Sequence, residues 1–390
     1  MAEWPVRELG DLCTRVTVGH VGSMASRYVS EGIPFLRSQN VKRGRLDLAG
    51  LKYIDDNFHR ELAKSQLNAG DLVIVRTGEP GVAAVVPDGI GPLNCSDLVI
   101  ARPAPGVDVR FMCYAINETA EEFVRAHTVG AVQQHFNVAS AKKLALKVPS
   151  LPEQQAIAAA LGALDDKIAA NEHITAIADS LRSACYLGAH AEAPSEFRQE
   201  ALSDAAEFIN GRPFTKDATG TGRMVVRIAE LNSGPGVSTV YNDIEVSEKH
   251  LARPGDVLFA WSGSLTVARW FRPEAIVNQH IFKVVPKGDR PMWLVAELLR
   301  MKLDEFRAIA ADKATTMGHI QRRHLDEPVL TPSAAMTQKL DAQIGPLWNR
   351  ALSAEQESLK LADLRDTLLP QLMSGKLRVR DAEKIVEDAV

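Results

Sequence analysis

Four cysteines in 390 residues are few, and Cys13, Cys95, Cys113 and Cys185 form no C-x-x-C pair. Neither a zinc site nor a disulfide framework is suggested, and a reducing cytoplasm is the natural compartment. No apolar run approaches the roughly 20 residues that cross a bilayer, so no membrane is expected among the partners. The opening residues Met1-Ala2-Glu3-Trp4-Pro5 lack the basic stretch and apolar core of a signal peptide. Catalytic signatures are missing as well. Ser374-Gly375-Lys376 lacks the upstream glycine of a phosphate-binding loop, and Gly220-Thr221-Gly222 is an isolated glycine pair in a polar loop. Neither H-E-x-x-H nor G-x-S-x-G occurs, nor an Asn/Asp-Pro-Pro-aromatic motif, nor a recognisable nuclease constellation. The expected number of catalytic and metal residues is therefore none.

An excess of basic charge is also lacking, since the formal net charge is −4. Its distribution matters more. Residues 151–195 carry two Lys+Arg against six Asp+Glu, whereas 1–150 carry 17 against 16 and 196–330 carry 18 against 18. Neutral segments can still bind an anionic polymer if their cations share a face. With 46% hydrophobic and 24% charged residues, the composition is that of a globular protein, long enough for two or three domains.

What the chain does have is an internal repeat. Leu67-Asn68-Ala69-Gly70-Asp71 leads into the apolar run Leu72–Val75, then Arg76-Thr77-Gly78. Leu251-Ala252-Arg253-Pro254-Gly255-Asp256 leads into Val257–Ala260, then Trp261-Ser262-Gly263. Asn94 and Asn278 each precede a strand pattern ending on Pro103 or Pro286, and an amphipathic helical stretch follows in each half. His135-Phe136-Asn137 and His319-Ile320-Gln321 come next, and Pro152 and Pro332 open long helical patterns. The order is mixed domain, helix, mixed domain, helix, over 1–150, 151–192, 193–330 and 331–390.

The first helix starts well, with proline at its first position and Glu153 at the positive end of the dipole. Ile157, Leu161, Leu164, Ile168, Ile174, Ala178, Leu181 and Cys185 trace a coiled-coil seam, with Asn171 on it as a register-fixing polar residue. Gly188 is the expected stop. The second helix, from about Ser333 to Met373, has a less regular stripe (Leu340, Ile344, Leu347, Ala351, Leu359, Leu361, Leu364, Leu368) and an expected kink at Gly345-Pro346. Each stripe packs either on its own domain or, the reading favoured here, on the other helix, antiparallel.

Leu151-Pro152-Glu153-Gln154-Gln155-Ala156-Ile157, continuing through Leu161–Ile168, and the run Leu364–Leu377 resemble the conserved regions of type I restriction–modification specificity subunits. Ile33–Val41 and Gly70–Gly78 resemble that family's target-recognition domains. The second helix departs, with Pro332-Ser333-Ala334-Ala335 in place of Pro-Glu-Gln-Gln. The resemblance covers nearly the whole chain. It implies an α+β fold: two repeated mixed α/β target-recognition domains separated by two long antiparallel coiled-coil helices. It implies a non-enzymatic chain that reads a bipartite site on double-stranded DNA, one half per domain, the helices serving as a ruler. Its implied partners are two methyltransferase subunits and the restriction subunits. S-adenosylmethionine, ATP and magnesium would belong to those partners and no cofactor to this chain. The alternative is the specificity subunit of a modification-only or variant phage-defence system.

Base readout needs forked donors and amides, while Lys and Arg hold phosphates. In the first half Arg37, Ser38, Asn40, Lys42, Arg43 and Arg45 are candidate DNA contacts, or a solvated basic turn. Arg76 and Thr77 sit just past a buried strand, where Arg76 could instead form a salt bridge. Gln133, Gln134, His135 and Asn137 suit base contacts, although Asn137 could equally cap a helix. In the second half the candidates are Arg227, Asn232, Trp261, Ser262, Thr315, Thr316, His319, Arg322 and Arg323. A packed core is the competing place for Trp261, and Arg322-Arg323 is the best phosphate contact.

Overall fold

A computed structural model describes residues 4–126, 136–312 and 318–390. They fall into two compact units, Met1–Asp166 with Leu361–Val390, and Lys167–Lys360.

The first unit contains β1 (Val6–Glu8), β2 (Cys13–Val18), β3 (Ile33–Leu36), the hairpin β4 (Val41–Lys42) and β5 (Arg45–Leu46), β6 (Lys52–Ile54), α1 (Asp56–Glu61), β7 (Gln66–Leu67), β8 (Leu72–Val75), β9 (Ala83–Val85), β10 (Leu93–Cys95), β11 (Leu98–Pro103), α2 (Val109–Ala126), α3 (Val138–Lys142) and β12 (Ala145–Lys147). The long helix α4 (Leu151–Glu192) begins in this unit and ends in the other. The second unit contains β13 (Phe197–Ala201), α5 (Leu202–Ala205), β14 (Ala206–Asn210), β15 (Arg223–Val226), α6 (Ile228–Ser233), β16 (Tyr241–Asn242), β17 (Leu251–Ala252), β18 (Val257–Ala260), β19 (Thr266–Arg269), β20 (Ala275–Val277), β21 (Ile281–Pro286), α7 (Met292–Asp312) and β22 (Pro328–Pro332). Helix α8 (Ala334–Met373) starts there and returns to the first unit, followed by α9 (Val379–Glu387).

The repeat is a repeat of topology. Sheet orders in the first unit are β6-β3-β10-β7, β2-β11-β8-β9 and β1-β12; in the second they are β16-β15-β20-β17, β14-β21-β18-β19 and β13-β22. These orders match, including the parallel pairs β3/β10 and β15/β20 among antiparallel neighbours, while the β4–β5 hairpin of the first unit has no counterpart among the described residues of the second. Strands β8 (Leu-Val-Ile-Val) and β18 (Val-Leu-Phe-Ala) are buried along their whole length. Both of their faces are covered, so they read as continuous apolar runs without alternation. The Gly-Asp turn before each has one cause. Gly70 (φ 79°) and Gly255 (φ 96°) take the left-handed conformation, and the carboxylates of Asp71 and Asp256 accept the N–H of Asn68 and Arg253, each at 2.8 Å.

Asn94 and Asn278 are not equivalents, contrary to the sequence reading. Asn94 lies within β10, opposite Phe35, whereas Asn278 follows β20 and donates its N–H to Val226 O as Ser96 does to Leu36 O. A one-residue difference in the loop before β11 and β21 hides this from linear spacing.

Helix α4 passes Gly188 and ends only before Ala193-Pro194, because the residue before proline is driven out of the helical region. Its buried face runs Ile157, Leu161, Leu164, Asn171, Ala178, Arg182 and Tyr186, while the expected seam residue Leu181 is 47% exposed. The heptad is kept, but polar residues occupy some of its positions, and a reading confined to apolar residues slips to their neighbours. Helix α8 is continuous through Gly345-Pro346 and Pro370. It runs antiparallel to α4. In the first unit Arg365 donates to Asp165 at 2.7 Å; in the second Asn171 donates to Glu357 at 2.8 Å and Arg182 lies over the Trp348 ring.

Each unit binds its domain to these helices through a carboxylate on α4. Asp165 accepts from the Tyr114 hydroxyl on α2 as well as from Arg365. Asp179 accepts from Arg182 at 2.6 Å and from Arg269 on β19 at 3.3 Å. Arg182 also reaches Glu297 on α7 at 2.9 Å, and both side chains are almost fully buried. Removing one member of a buried pair strands the other, so Arg182→Leu should cost about 3–5 kcal/mol. Pairing it with Glu297→Met should recover most of that loss. Denaturant unfolding of the single and double variants checks both statements.

Candidate nucleic-acid interface

The candidate site lies in the loops that leave the equivalent ends of β2, β3, β8 and β10 in one unit and of β14, β15, β18 and β20 in the other. Their backbones are brought close by a glycine. A Cβ on Gly19 would lie 2.8 Å from Cys95 O, and one on Gly211 would lie 2.1 Å from Asn278 O. The next residues, His20 and Arg212, bridge to Ser96 and Asn278.

In the first unit these loops line a cleft of about 660 Å³. Arg37, Ser38, Lys42 and Thr77, from two distant segments of sequence, meet there with Tyr28, Ser96 and Asp97. Arg76 donates to Asp97, so the salt bridge foreseen as its alternative exists. Asn40 is buried. Its carbonyl accepts the N–H of Arg37, and its amide donates to Asp47 O at 3.0 Å. It shapes the turn and presents no polar atom to the cleft, because a buried amide must find its partners locally. Arg43 is committed to Asn117 O and Glu118. Arg45 is exposed on the β4–β5 hairpin. Asn137 caps α3, accepting the N–H of Ser140 at 2.9 Å. Gln133, Gln134, His135, Thr315 and Thr316 lie outside the described residues.

The second unit carries different chemistry on the same frame. Val75 pairs with Leu98 and Ala260 with Ile281 at the ends of equivalent ladders. Just beyond, the first unit has Arg76 with Asp97, and the second has Trp261 with His280, ring centroids 5.1 Å apart. Asp97 (φ 52°) and His280 (φ 72°) both adopt the left-handed conformation that residues other than glycine rarely take. Trp261 is half-buried and packs against the core of the second unit, its ring tilted on Phe282 at 5.8 Å, as the competing reading expected. Its indole donates to Asn210 at 2.9 Å, and His319 packs on its edge. Ser262 is buried and bridges to His319. Asn210, Arg212, Gln279, His280 and His319 are exposed around this ring. Arg322 and Arg323 are exposed on a single turn, and Arg322 reaches Phe208 O at 3.5 Å. Asn232 is exposed on α6, and Arg227 is bound to Glu230.

Sequence reasoning missed Asp97, Asn210, Arg212, Gln279 and His280, which only the strand pairing brings to the site. One signal was available: Val18-Gly19-His20 and Asn210-Gly211-Arg212 repeat a glycine before a polar residue at the close of equivalent strands.

The fold has solved counterparts. The S subunit of a type I restriction–modification system from M. genitalium superposes with a TM-score of 0.57 at 15% identity, over 95% of this chain and 96% of that one. The family model for the type I restriction modification DNA specificity domain matches residues 1–178. Similar curated proteins include the type I restriction enzyme MjaIX specificity subunit of Methanocaldococcus jannaschii, 21% identical over 97% of this chain and 94% of that protein. The EcoKI specificity subunit of Escherichia coli K12 is 23% identical over 67% of this chain and 62% of that protein. Over residues 1–178 the chain thus resembles the type I restriction modification DNA specificity domain, and over nearly its whole length it is similar to specificity subunits of type I restriction enzymes. Among the described residues no helix is long and apolar enough to cross a membrane.

Gly211→Ala should force the β14 loop off Asn278 and cost about 2–3 kcal/mol. A melting temperature equal to that of the unaltered chain would show that the close approach is not needed.

Proposed function

We propose that each unit reads one half of a bipartite, asymmetric site on double-stranded DNA, and that α4 and α8 measure the unspecified spacer between the halves. The observation that carries this reading is the pair of matching sheet orders with different side chains at equivalent positions, Arg76 and Asp97 against Trp261 and His280. A frame used twice supplies the same approach to DNA twice, and changed side chains supply different base preferences. Arg37, Ser38, Lys42 and Thr77 in one unit, and Trp261, His319, Arg322 and Arg323 in the other, are the contacts favoured by position. Two methyltransferase subunits dock on the helices and domains and methylate adenine with S-adenosylmethionine. Restriction subunits, using ATP and magnesium, complete the nuclease in the cytoplasm.

Methylome sequencing of cells with and without the gene should show loss of one bipartite adenine motif on deletion. Exchanging residues 1–150 for those of another family member should change one half of the motif. A change in both halves would overturn the assignment of one half-site to one unit.

Neither domain segment carries a strong basic excess, so the isolated chain should bind DNA weakly and gain affinity with its methyltransferase partners. Binding by the complex should fall steeply as salt rises, because phosphate contacts release counterions. Equal affinity of chain and complex in a titration at 50 and 200 mM salt would contradict this.

A further inference from the structure

Arg37 and Arg227 hold the same place in the two repeats. Each follows the strand that pairs in parallel with its neighbour, β3 or β15, and each opens a short helical turn. The third residue of that turn folds back on the arginine's own N–H. That residue is Asn40 in one unit and Glu230 in the other, each accepting at 3.1 Å. In the second unit the carboxylate also captures the guanidinium. Arg227 Nε donates to Glu230 at 3.0 Å, and Nη2 donates to its other oxygen and to Ser238 O. Burial alone would raise the pKa of Glu230. The hydrogen bonds from Arg227 outweigh that burial and hold the carboxyl below its usual range, so the clamp stays charged at neutral pH.

The first unit lacks this clamp. An amide stands where the carboxylate would be, and its Nδ2 points away to Asp47 O. The Arg37 guanidinium meets no carboxylate among the described residues. Its Nη2 donates to Gly50 O at 3.1 Å, and its Nε is buried without a partner. It lines the 660 Å³ cleft beside Ser38, Lys42 and Thr77. A buried donor without an acceptor costs free energy that an incoming acceptor returns.

We propose that Arg37 is a specificity-determining residue of the first unit, donating to the acceptor edge of a guanine, and that Arg227 is silenced by Glu230 and reads no base. The O6 and N7 acceptors of guanine suit a planar fork, and the compact charge of Lys42 at the rim suits a phosphate. This rests on the half-site reading proposed above.

The test uses the complex of the full chain with its methyltransferase partners, acting on unmethylated genomic DNA, with the motif read by single-molecule sequencing. The wild-type motif should hold a guanine in the half assigned to residues 1–150. Arg37→Ala and Asn40→Glu, the latter copying the clamp of the second unit, should each make that position degenerate. Discrimination there should fall on the order of tenfold or more. The other half-site should stay unchanged, which also reports that the complex is folded. Arg37→Lys keeps the charge without the fork, should give the same degeneracy, and decides the matter if Arg37→Ala yields no active complex. An unchanged motif in Arg37→Lys and Asn40→Glu overturns the proposal. So does a uniform slowing on all sites with the motif intact, which marks a phosphate contact. A wild-type complex that methylates no bipartite motif defeats the half-site reading first, and this assignment with it.

Discussion

Two aspartates on one helix hold the rest of the structure to it. Asp165 gathers the Tyr114 hydroxyl from α2 and the Arg365 guanidinium from α8; Asp179 gathers Arg182 from its own helix and Arg269 from β19. Large apolar residues of these helices, among them Ile157, Leu161 and Leu164 on α4 and Leu340, Ile344 and Trp348 on α8, supply burial, but burial is non-directional. Charge-assisted bonds at short distance are directional, and desolvated pairs tolerate little displacement. Arg269 makes this plain, being bound by both oxygens of Glu355 while stacked on Trp348. Within each unit the helices and the strand-end loops are thus parts of one packed body.

On that support the chain builds the same sheet frame twice and varies only what emerges from its ends. Close backbone approach at Gly19 and Gly211 brings loops from distant strands within reach of one another. A guanidinium held by Asp97 and an indole held by Asn210 then stand at equivalent places. Most of the burial that folds each unit lies beneath these side chains, although Trp261 also packs on Phe282 at the edge of the core.

Much of this was legible in the sequence, and the failures have physical reasons. The Gly-Asp turns were visible because left-handed glycine and a capping carboxylate are local requirements. Arg37, Ser38, Lys42 and Thr77 were singled out because polar residues just past apolar strands emerge at strand ends, and the fold gathers them at one cleft. Asp97, Gln279 and His280 were missed because β11 and β21 reach the site through pairing with strands far away in the chain. The seam of α4 was misplaced at Leu181 because Arg182, a charged residue, is the one buried. Asn40 was taken for a base contact because sequence does not reveal that its amide is consumed by the turn it closes.

The central claim is that the two loop clusters meet different halves of one DNA site. Photocrosslinking tests it most directly, with a photoreactive amino acid placed at Lys42 or at His280 in the methyltransferase complex bound to a duplex carrying its motif. The account predicts that the first position crosslinks within one half-site and the second within the other. Crosslinks from both positions to the same half, or to the spacer alone, would contradict it.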